Sequence, residues 1–121
     1  MRFQDLFAYQ KVFELAMEIF EISKHFPKEE IYSLTDQIRR SSRSVAVNIA
    51  ESYRKRLYPK HFISKLSDSD AENSETQTWL EFALKCKYIS NKDYVRLFSE
   101  TEEIGKLINY MINNPKKFGS K

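Results

Sequence analysis

The chain has 121 residues, a mass of 14.4 kDa and a net charge of +3, values that describe one compact domain and do not require a polyanionic partner. A single cysteine, Cys86, excludes an intramolecular disulfide and a cysteine-based zinc site, and it fits a reducing compartment. Because charged residues occur near the start and no long apolar stretch follows, we expect no signal peptide, no membrane helix and a cytoplasmic location.

The first two helices are predicted from the spacing of apolar residues and from their starting residues. Residues 5–26 carry apolar side chains three and four positions apart, with Asp5 as the expected N-cap. Residues 33–57 form the second predicted helix, in which Ser33 and Asp36 have the spacing of a capping box. The chain contains only two glycines and three prolines, so few positions can interrupt these helices.

Two further helices complete the predicted fold. Residues 59–87 form the third, with a proline in its first turn, and residues 90–114 form the fourth, which starts with capping-box spacing. Residues 116–121 are expected to be a frayed basic tail. The sequence therefore predicts an all-α, up-and-down four-helix bundle that forms a single domain over residues 1–121.

The predicted core-facing sides of the second and third helices carry polar side chains at positions where bulky apolar groups are usual. Such groups need hydrogen-bond partners if they are buried. In the simplest arrangement, Ser41, Asn48 and Ser52 of the second helix face the amides of the third helix. The predicted polar-core residues are Ser41, Asn48, Asn73 and Gln77.

Positive charge is concentrated between residues 28 and 60, which contain eight Lys and Arg and four Asp and Glu. Most of these cations lie on the outer side of the second helix or just after it. Arginines neutralise phosphate, so this face is a candidate nucleic-acid-binding surface. The candidates are Arg39, Arg40, Arg43, Arg54, Lys55 and Arg56. The alternative is a solvated face with local ion pairs, such as Asp36 with Arg40.

Apolar residues lie among these arginines, which indicates a second contact surface on the outer side of the second helix. We expect this surface to pack against a neighbouring subunit in a homo-oligomer. The candidate interface residues are Val47, Ala50, Glu51 and Glu75.

No catalytic constellation stands out, so we expect no enzyme activity, no cofactor and no metal ion. The two histidines do not begin or end a metal-binding motif, and two glycines are too few for a glycine-rich phosphate loop. One alternative is a magnesium-dependent nuclease that uses Asp68, Asp70 and Glu75 with Lys65. On a helix, however, Asp70 lies on a different side from the other two carboxylates.

Several ordered segments carry a family resemblance. They are residues 3–6 (FQDL), 25–30 (HFPKEE), 34–40 (LTDQIRR) and 44–51 (SVAVNIAE). In this order they resemble the bacterial four-helix bundle proteins encoded in intervening sequences of 23S rRNA genes. The resemblance covers nearly the whole chain, although Ser52 stands where a glycine usually follows the last segment.

The resemblance implies an up-and-down bundle that assembles into a ring-like homopentamer with no established enzymatic activity. A related branch, the accessory proteins of diversity-generating retroelements, works with a reverse transcriptase and binds nucleic acid through basic surfaces. By similarity, Arg39, Arg40 and Arg43 are the first residues to test. We expect weak binding of RNA or DNA, alone or as an adaptor for a nucleic-acid enzyme. A purely structural ring that binds only protein partners is the alternative.

Overall fold

Four long helices and no strands make up the computed structural model, which describes residues 1–121. They are α1 (Phe7–Ser23), α2 (Leu34–Arg54), α3 (Pro59–Lys85) and α4 (Asn91–Asn113). Each helix packs against the next one along the chain, and α1 also touches α4. The predicted all-α four-helix bundle is therefore confirmed, with predicted helices that are too long by up to three residues at their ends.

The apolar stripes of all four helices meet in one core. Because these residues recur every three or four positions, each helix turns one continuous apolar side inward. Burying such a side chain contributes about 1.5–3 kcal/mol relative to leaving it in water. The side chains with no exposed surface include Ile19, Ile38, Ile49, Phe62, Leu66, Leu80, Leu97, Ile104 and Ile108.

At two predicted helix starts the expected side-chain capping bond is absent, and the N-cap of α1 is Leu6 instead of Asp5. Asp5 lies in a short 3-10 turn before α1, where its carboxylate accepts the backbone N–H of Arg2 at 3.0 Å. At the start of α2 the hydroxyl of Ser33 donates to Glu30 at 2.5 Å, and the Leu34 N–H donates to the same carboxylate oxygen at 3.3 Å. Ser33 directly precedes α2, but its side chain accepts no helix N–H, because its hydroxyl is turned towards Glu30. The carboxylate of Glu30 instead accepts the first N–H of the helix.

The starts of α3 and α4 agree with the sequence. Pro59 occupies the first turn of α3, where its missing N–H is not needed. Ser90 precedes α4, and its hydroxyl accepts the backbone N–H of Asp93 at 3.0 Å. None of the four helices contains an apolar stretch sufficient to span a bilayer.

The predicted frayed tail is instead folded against the end of α2. Residues Pro115–Phe118 form a 3-10 turn, and Gly119 follows with φ of 85°, a left-handed conformation that glycine adopts without strain. The chain then places Ser120 in a buried position, where its hydroxyl donates to the carbonyl of Arg56 at 3.0 Å. This bond holds the tail on the bundle.

Small hydroxyl groups line the seam between α2 and α3. Ser41 of α2 lies 2.8 Å from the hydroxyl of Thr76, and Ser69 of α3 donates to the carbonyl of Val45 at 2.8 Å. Ser41 and Ser69 have no exposed surface. Small side chains let two helix backbones approach closely, so these residues allow tight packing of α2 on α3.

The two amides of α3 were expected to pair with the polar groups of α2, and that pairing is wrong. Asn73 donates to the backbone carbonyl of Thr101 in α4 at 2.8 Å, and Gln77 donates to the Thr101 hydroxyl at 2.9 Å. Asn48 donates to the carbonyl of Ser44 in its own helix at 2.9 Å. The polar core is therefore split between the two sides of α3: hydroxyl groups connect α3 to α2, and the amides of Asn73 and Gln77 connect α3 to α4.

Ion pairs connect α1 to α4 outside the core. Lys11 lies 2.8 Å from Glu100 and 3.3 Å from Glu103, and Arg96 pairs with Glu18. The hydrogen bond that Lys11 donates to Glu100 raises the pKa of Lys11 above its ordinary value.

Candidate nucleic-acid interface

Two arginines of α2 lie over one aromatic ring of α1. The guanidinium carbons of Arg39 and Arg43 are 4.8 and 5.5 Å from the ring centroid of Phe20. The Nε–H of Arg39 also donates to the hydroxyl of Ser23 at 2.8 Å. Neither arginine forms an ion pair. We call Phe20, Arg39 and Arg43 the Phe20 cluster.

A third cation extends the Phe20 cluster. The ammonium group of Lys24 lies 4.8 Å from the same ring centroid, although it also pairs with Glu21 at 3.2 Å. The ring attracts each cation through its negative face, with about 0.5–1 kcal/mol for an exposed contact. Three positive groups are thus held close together with one carboxylate among them.

Arg40 has a different environment from Arg39, its neighbour in sequence. Its guanidinium lies 2.5 Å from Glu75 and 3.3 Å from Glu72, both on α3. The hydrogen bond with Glu75 raises the pKa of Arg40 above its ordinary value. The local pair expected between Asp36 and Arg40 does not form, because the guanidinium group of Arg40 pairs with the two carboxylates of α3 instead.

Arg39, Arg40 and Arg43 nevertheless line one open cavity of about 630 Å³ beside the Phe20 ring. Ser44, Val47 and Asp36 also line this concavity. The guanidinium groups of the Phe20 cluster line this concavity without a carboxylate partner, so their remaining N–H groups can donate hydrogen bonds to an anionic ligand.

The other three predicted cations lie at the far end of α2. Arg54 and Lys55 are exposed and form no ion pair. Arg56 lies 3.6 Å from the ring centroid of Tyr53, and its Nε–H donates to the carbonyl of Tyr53 at 2.8 Å. Fifteen residues separate Arg54 from Arg39, or about 22 Å along a helix. Along the helix axis, the six candidate cations therefore fall into two groups.

An exposed apolar groove lies between α1 and α2 next to the Phe20 cluster, and we call it the α1/α2 groove. Phe13, Met17 and Val47 line it with about half of their surfaces exposed (51%, 48% and 53%). Ala50 and Glu51 line it as well, so the structure brings three of the four predicted interface residues together. Phe13 has the spacing of the apolar stripe of α1, so its position outside the core could not be predicted from the sequence.

Glu75, the fourth predicted interface residue, lies on α3 away from the groove. Its carboxylate accepts Arg40 and also the indole N–H of Trp79 at 3.3 Å. Trp79 is part of a second apolar surface, which we call the Trp79 patch and which also includes Tyr32, Phe82 and Cys86.

Comparison with known proteins assigns the chain to a family. A family model described as 23S rRNA-intervening sequence protein matches residues 4–110. The chain belongs to this family. It is similar to a crystal structure of a protein of unknown function from the S23 ribosomal protein family of Bacteroides thetaiotaomicron, with 30% identity and a TM-score of 0.80. The similarity covers 88% of this chain and 95% of that chain. No curated protein matches the sequence.

The match to 23S rRNA-intervening sequence proteins includes the Phe20 cluster and the α1/α2 groove but ends before the tail that packs on Arg56. The carboxylates of the nuclease alternative do not gather within this family fold. No group of three or more His, Cys, Asp or Glu side chains is placed to hold a metal ion. Lys65, which the same alternative uses, pairs with Glu51 at 2.7 Å.

Proposed function

We propose that this 23S rRNA-intervening sequence protein is a non-catalytic homo-oligomer that binds RNA or DNA weakly through the Phe20 cluster. The observation that carries the proposal is the absence of a carboxylate partner at both Arg39 and Arg43, which share one ring. Phosphates of a nucleic acid would neutralise these guanidinium groups and release bound counterions.

The geometry of the arginines favours phosphate as the ligand. Contact with the face of Phe20 fixes each guanidinium group while leaving its N–H edge available for two parallel hydrogen bonds. Because the groups are held before a ligand arrives, binding costs less side-chain entropy than it would for free surface arginines. These contacts go to the backbone of the nucleic acid, so we expect little sequence preference.

The dependence of binding on salt tests this proposal. For a fluorescent oligonucleotide, the logarithm of the binding constant should fall linearly with the logarithm of the salt concentration. Replacing both Arg39 and Arg43 with Ala should reduce the magnitude of this slope by about 1.4–1.8, since each phosphate contact contributes about 0.7–0.9. The control replaces Lys92 and Lys106 of α4 with Ala, because these exposed lysines form no ion pair and give the same change in net charge.

The control variant should keep the slope of the unmodified protein. An equal reduction in both double variants would show that only net charge matters. Absence of binding at low salt would contradict nucleic-acid binding, and the scaffold that binds only proteins would then remain if the oligomer persists.

Two separate apolar surfaces support the oligomeric part of the proposal. The α1/α2 groove is lined by α1 and α2, and the Trp79 patch by α3 and the start of α2; the two share no residue, and both leave large apolar side chains in water. A head-to-tail ring needs two different surfaces on each subunit that fit one another. The pentamer implied by the family resemblance is a ring of this type, so we propose the groove as one of its contact surfaces.

Light scattering after size exclusion tests the assembly. The protein should have a mass that is a multiple of 14.4 kDa. Val47→Glu should reduce the mass to that of one chain, because assembly would bury an unpaired carboxylate. Val95→Glu is the control, since Val95 is 57% exposed on α4 and does not line the groove. A monomeric unmodified protein, or an unchanged mass for Val47→Glu, contradicts this interface.

A further inference from the structure

We propose that the cleft at the far end of α2 binds a phosphomonoester, either a free nucleotide or the phosphorylated end of a nucleic-acid strand. This cleft, which we call the end cleft, has a volume of about 570 Å³ and is lined by the three arginines Arg2, Arg54 and Arg56. No Asp or Glu is among its lining residues. The end cleft is separate from the Phe20 cluster and does not depend on the proposed role of that cluster.

Arg56 is the fixed part of the end cleft. Its guanidinium stacks on the ring of Tyr53, and its Nε–H donates a hydrogen bond to the Tyr53 carbonyl. Its Nη1 donates to the carbonyl of Phe118 at 3.4 Å. The two N–H groups of Nη2 have no protein partner. A guanidinium held in this way binds an oxyanion with little loss of side-chain freedom.

The tail of the chain closes one side of the end cleft. Gly119 has a positive φ, and a Cβ at this position would lie 2.9 Å from Nη1 of Arg56. The backbone of the tail therefore passes directly against the guanidinium, and a side chain at this position would have to displace it and would strain the positive φ. The bond from Ser120 to the Arg56 carbonyl holds this wall in place.

Arg54 and Arg2 supply the remaining charge. Arg54 is exposed and forms no ion pair. Arg2 lies 3.5 Å from Asp5, but its side chain is 74% exposed, so solvent weakens that pair. Three guanidinium groups thus line the end cleft, and the only carboxylate paired with one of them, that of Asp5, is not a lining residue. A terminal phosphate, which carries about −1.5 to −2 charges at pH 7, matches this excess better than a carboxylate does.

Apolar groups around the cations favour an organic phosphate over the bare ion. Phe3 and Leu57 also line the end cleft, and Leu57 is 76% exposed. These side chains offer a surface for the base or sugar of a nucleotide, because covering them removes apolar area from water. The volume lies within the range of ordinary small-molecule pockets, about 300–1,000 Å³.

Isothermal titration calorimetry with adenosine monophosphate, in a low-salt buffer without phosphate, tests the end cleft. Arg54→Ala should weaken binding by about 10-fold or more, because it removes a charged hydrogen-bond donor from the ligand. Lys55→Ala is the matched control, since Lys55 is the next residue, is exposed, and does not line the cleft. It should change the affinity by less than about 2-fold. Circular dichroism should show that both variants fold.

Two results would overturn the proposal: no measurable binding of adenosine monophosphate or inorganic phosphate at low salt, or equal weakening by the two variants. The variant that lacks Arg39 and Arg43 should bind adenosine monophosphate normally, and loss of its binding would also overturn the separation of the sites.

Oligonucleotides with and without a 5′-phosphate identify the source of the ligand. Tighter binding of the phosphorylated strand, lost in Arg54→Ala, would support the end of a nucleic-acid strand. Equal binding of the two strands, together with Arg54-dependent binding of adenosine monophosphate, would support a free nucleotide.

Discussion

Replacing Arg40 with Ala tests whether Arg40 stabilises the fold through its ion pairs with α3 or instead contacts nucleic acid. Arg40 holds Glu75 at 2.5 Å and Glu72 at 3.3 Å, with about half of its own side chain exposed. Solvent reduces such pairs to about 0.2–1 kcal/mol each, so we expect Arg40→Ala to lower the free energy of unfolding by about 1 kcal/mol. For 121 residues this corresponds to a decrease in Tm of about 4 °C. High salt should shrink the loss, because it screens exposed charges.

Urea unfolding followed by the fluorescence of Trp79 measures this change. Trp79 is the only tryptophan, and its indole N–H donates to Glu75, so the folded protein should also change its emission when Arg40 is removed. Arg54→Ala is the control, because an unpaired surface arginine should affect stability by less than about 0.5 kcal/mol. The reasoning is refuted if both variants are equally stable and Arg40→Ala instead lowers the salt slope of nucleic-acid binding.

Two other predictions concern the seam and the turn before α2. Ser69→Ala should lower the free energy of unfolding by about 1 kcal/mol, because the hydrogen bond to the carbonyl of Val45 is lost. Ser69→Leu should lower it by about 3 kcal/mol, because the larger side chain has no room between α2 and α3. Equal losses in urea unfolding would contradict this close approach. The hydrogen bond to Glu30 raises the pKa of Tyr88 to about 12. Its contribution to stability is therefore present below pH 10 and lost as the pH rises towards 12. Tyr88→Phe should weaken the pH dependence of thermal unfolding in that window, and an unchanged dependence would exclude this bond as its source.

The helices could be predicted from the sequence because their signals are local. Apolar residues three and four positions apart define the inner side of a helix whatever it packs against. The start of α2 was only partly predictable. Ser33 precedes the helix and has the spacing of a capping box with Asp36, but its hydroxyl donates to Glu30 and caps no N–H of the helix. Spacing within the helix does not reveal that a carboxylate of the preceding turn binds this hydroxyl.

The partners of polar groups could not be predicted, because they depend on which helix lies opposite. The sequence indicated that Asn73 would need a partner, and the structure supplies one from α4 instead of α2. The same limit applies to the arginines. Arg39 and Arg40 carry the same charge one residue apart, yet Arg39 faces an aromatic ring on α1 and Arg40 faces two carboxylates on α3. Counting charge along α2 treats them as equal.

The two unpaired cation groups on α2 lead to a prediction about strand length. The Phe20 cluster and the end cleft are about 22 Å apart along the helix, and stacked nucleotides rise about 3.4 Å each, so about seven nucleotides span the distance. A strand with a 5′-phosphate that reaches both sites gains from the second contact without paying again for association. Affinity measured against strand length should therefore increase near this length for phosphorylated strands only. Arg54→Ala should remove the increase. A smooth rise with length that is identical for both kinds of strand would show that the two groups do not act on the same ligand.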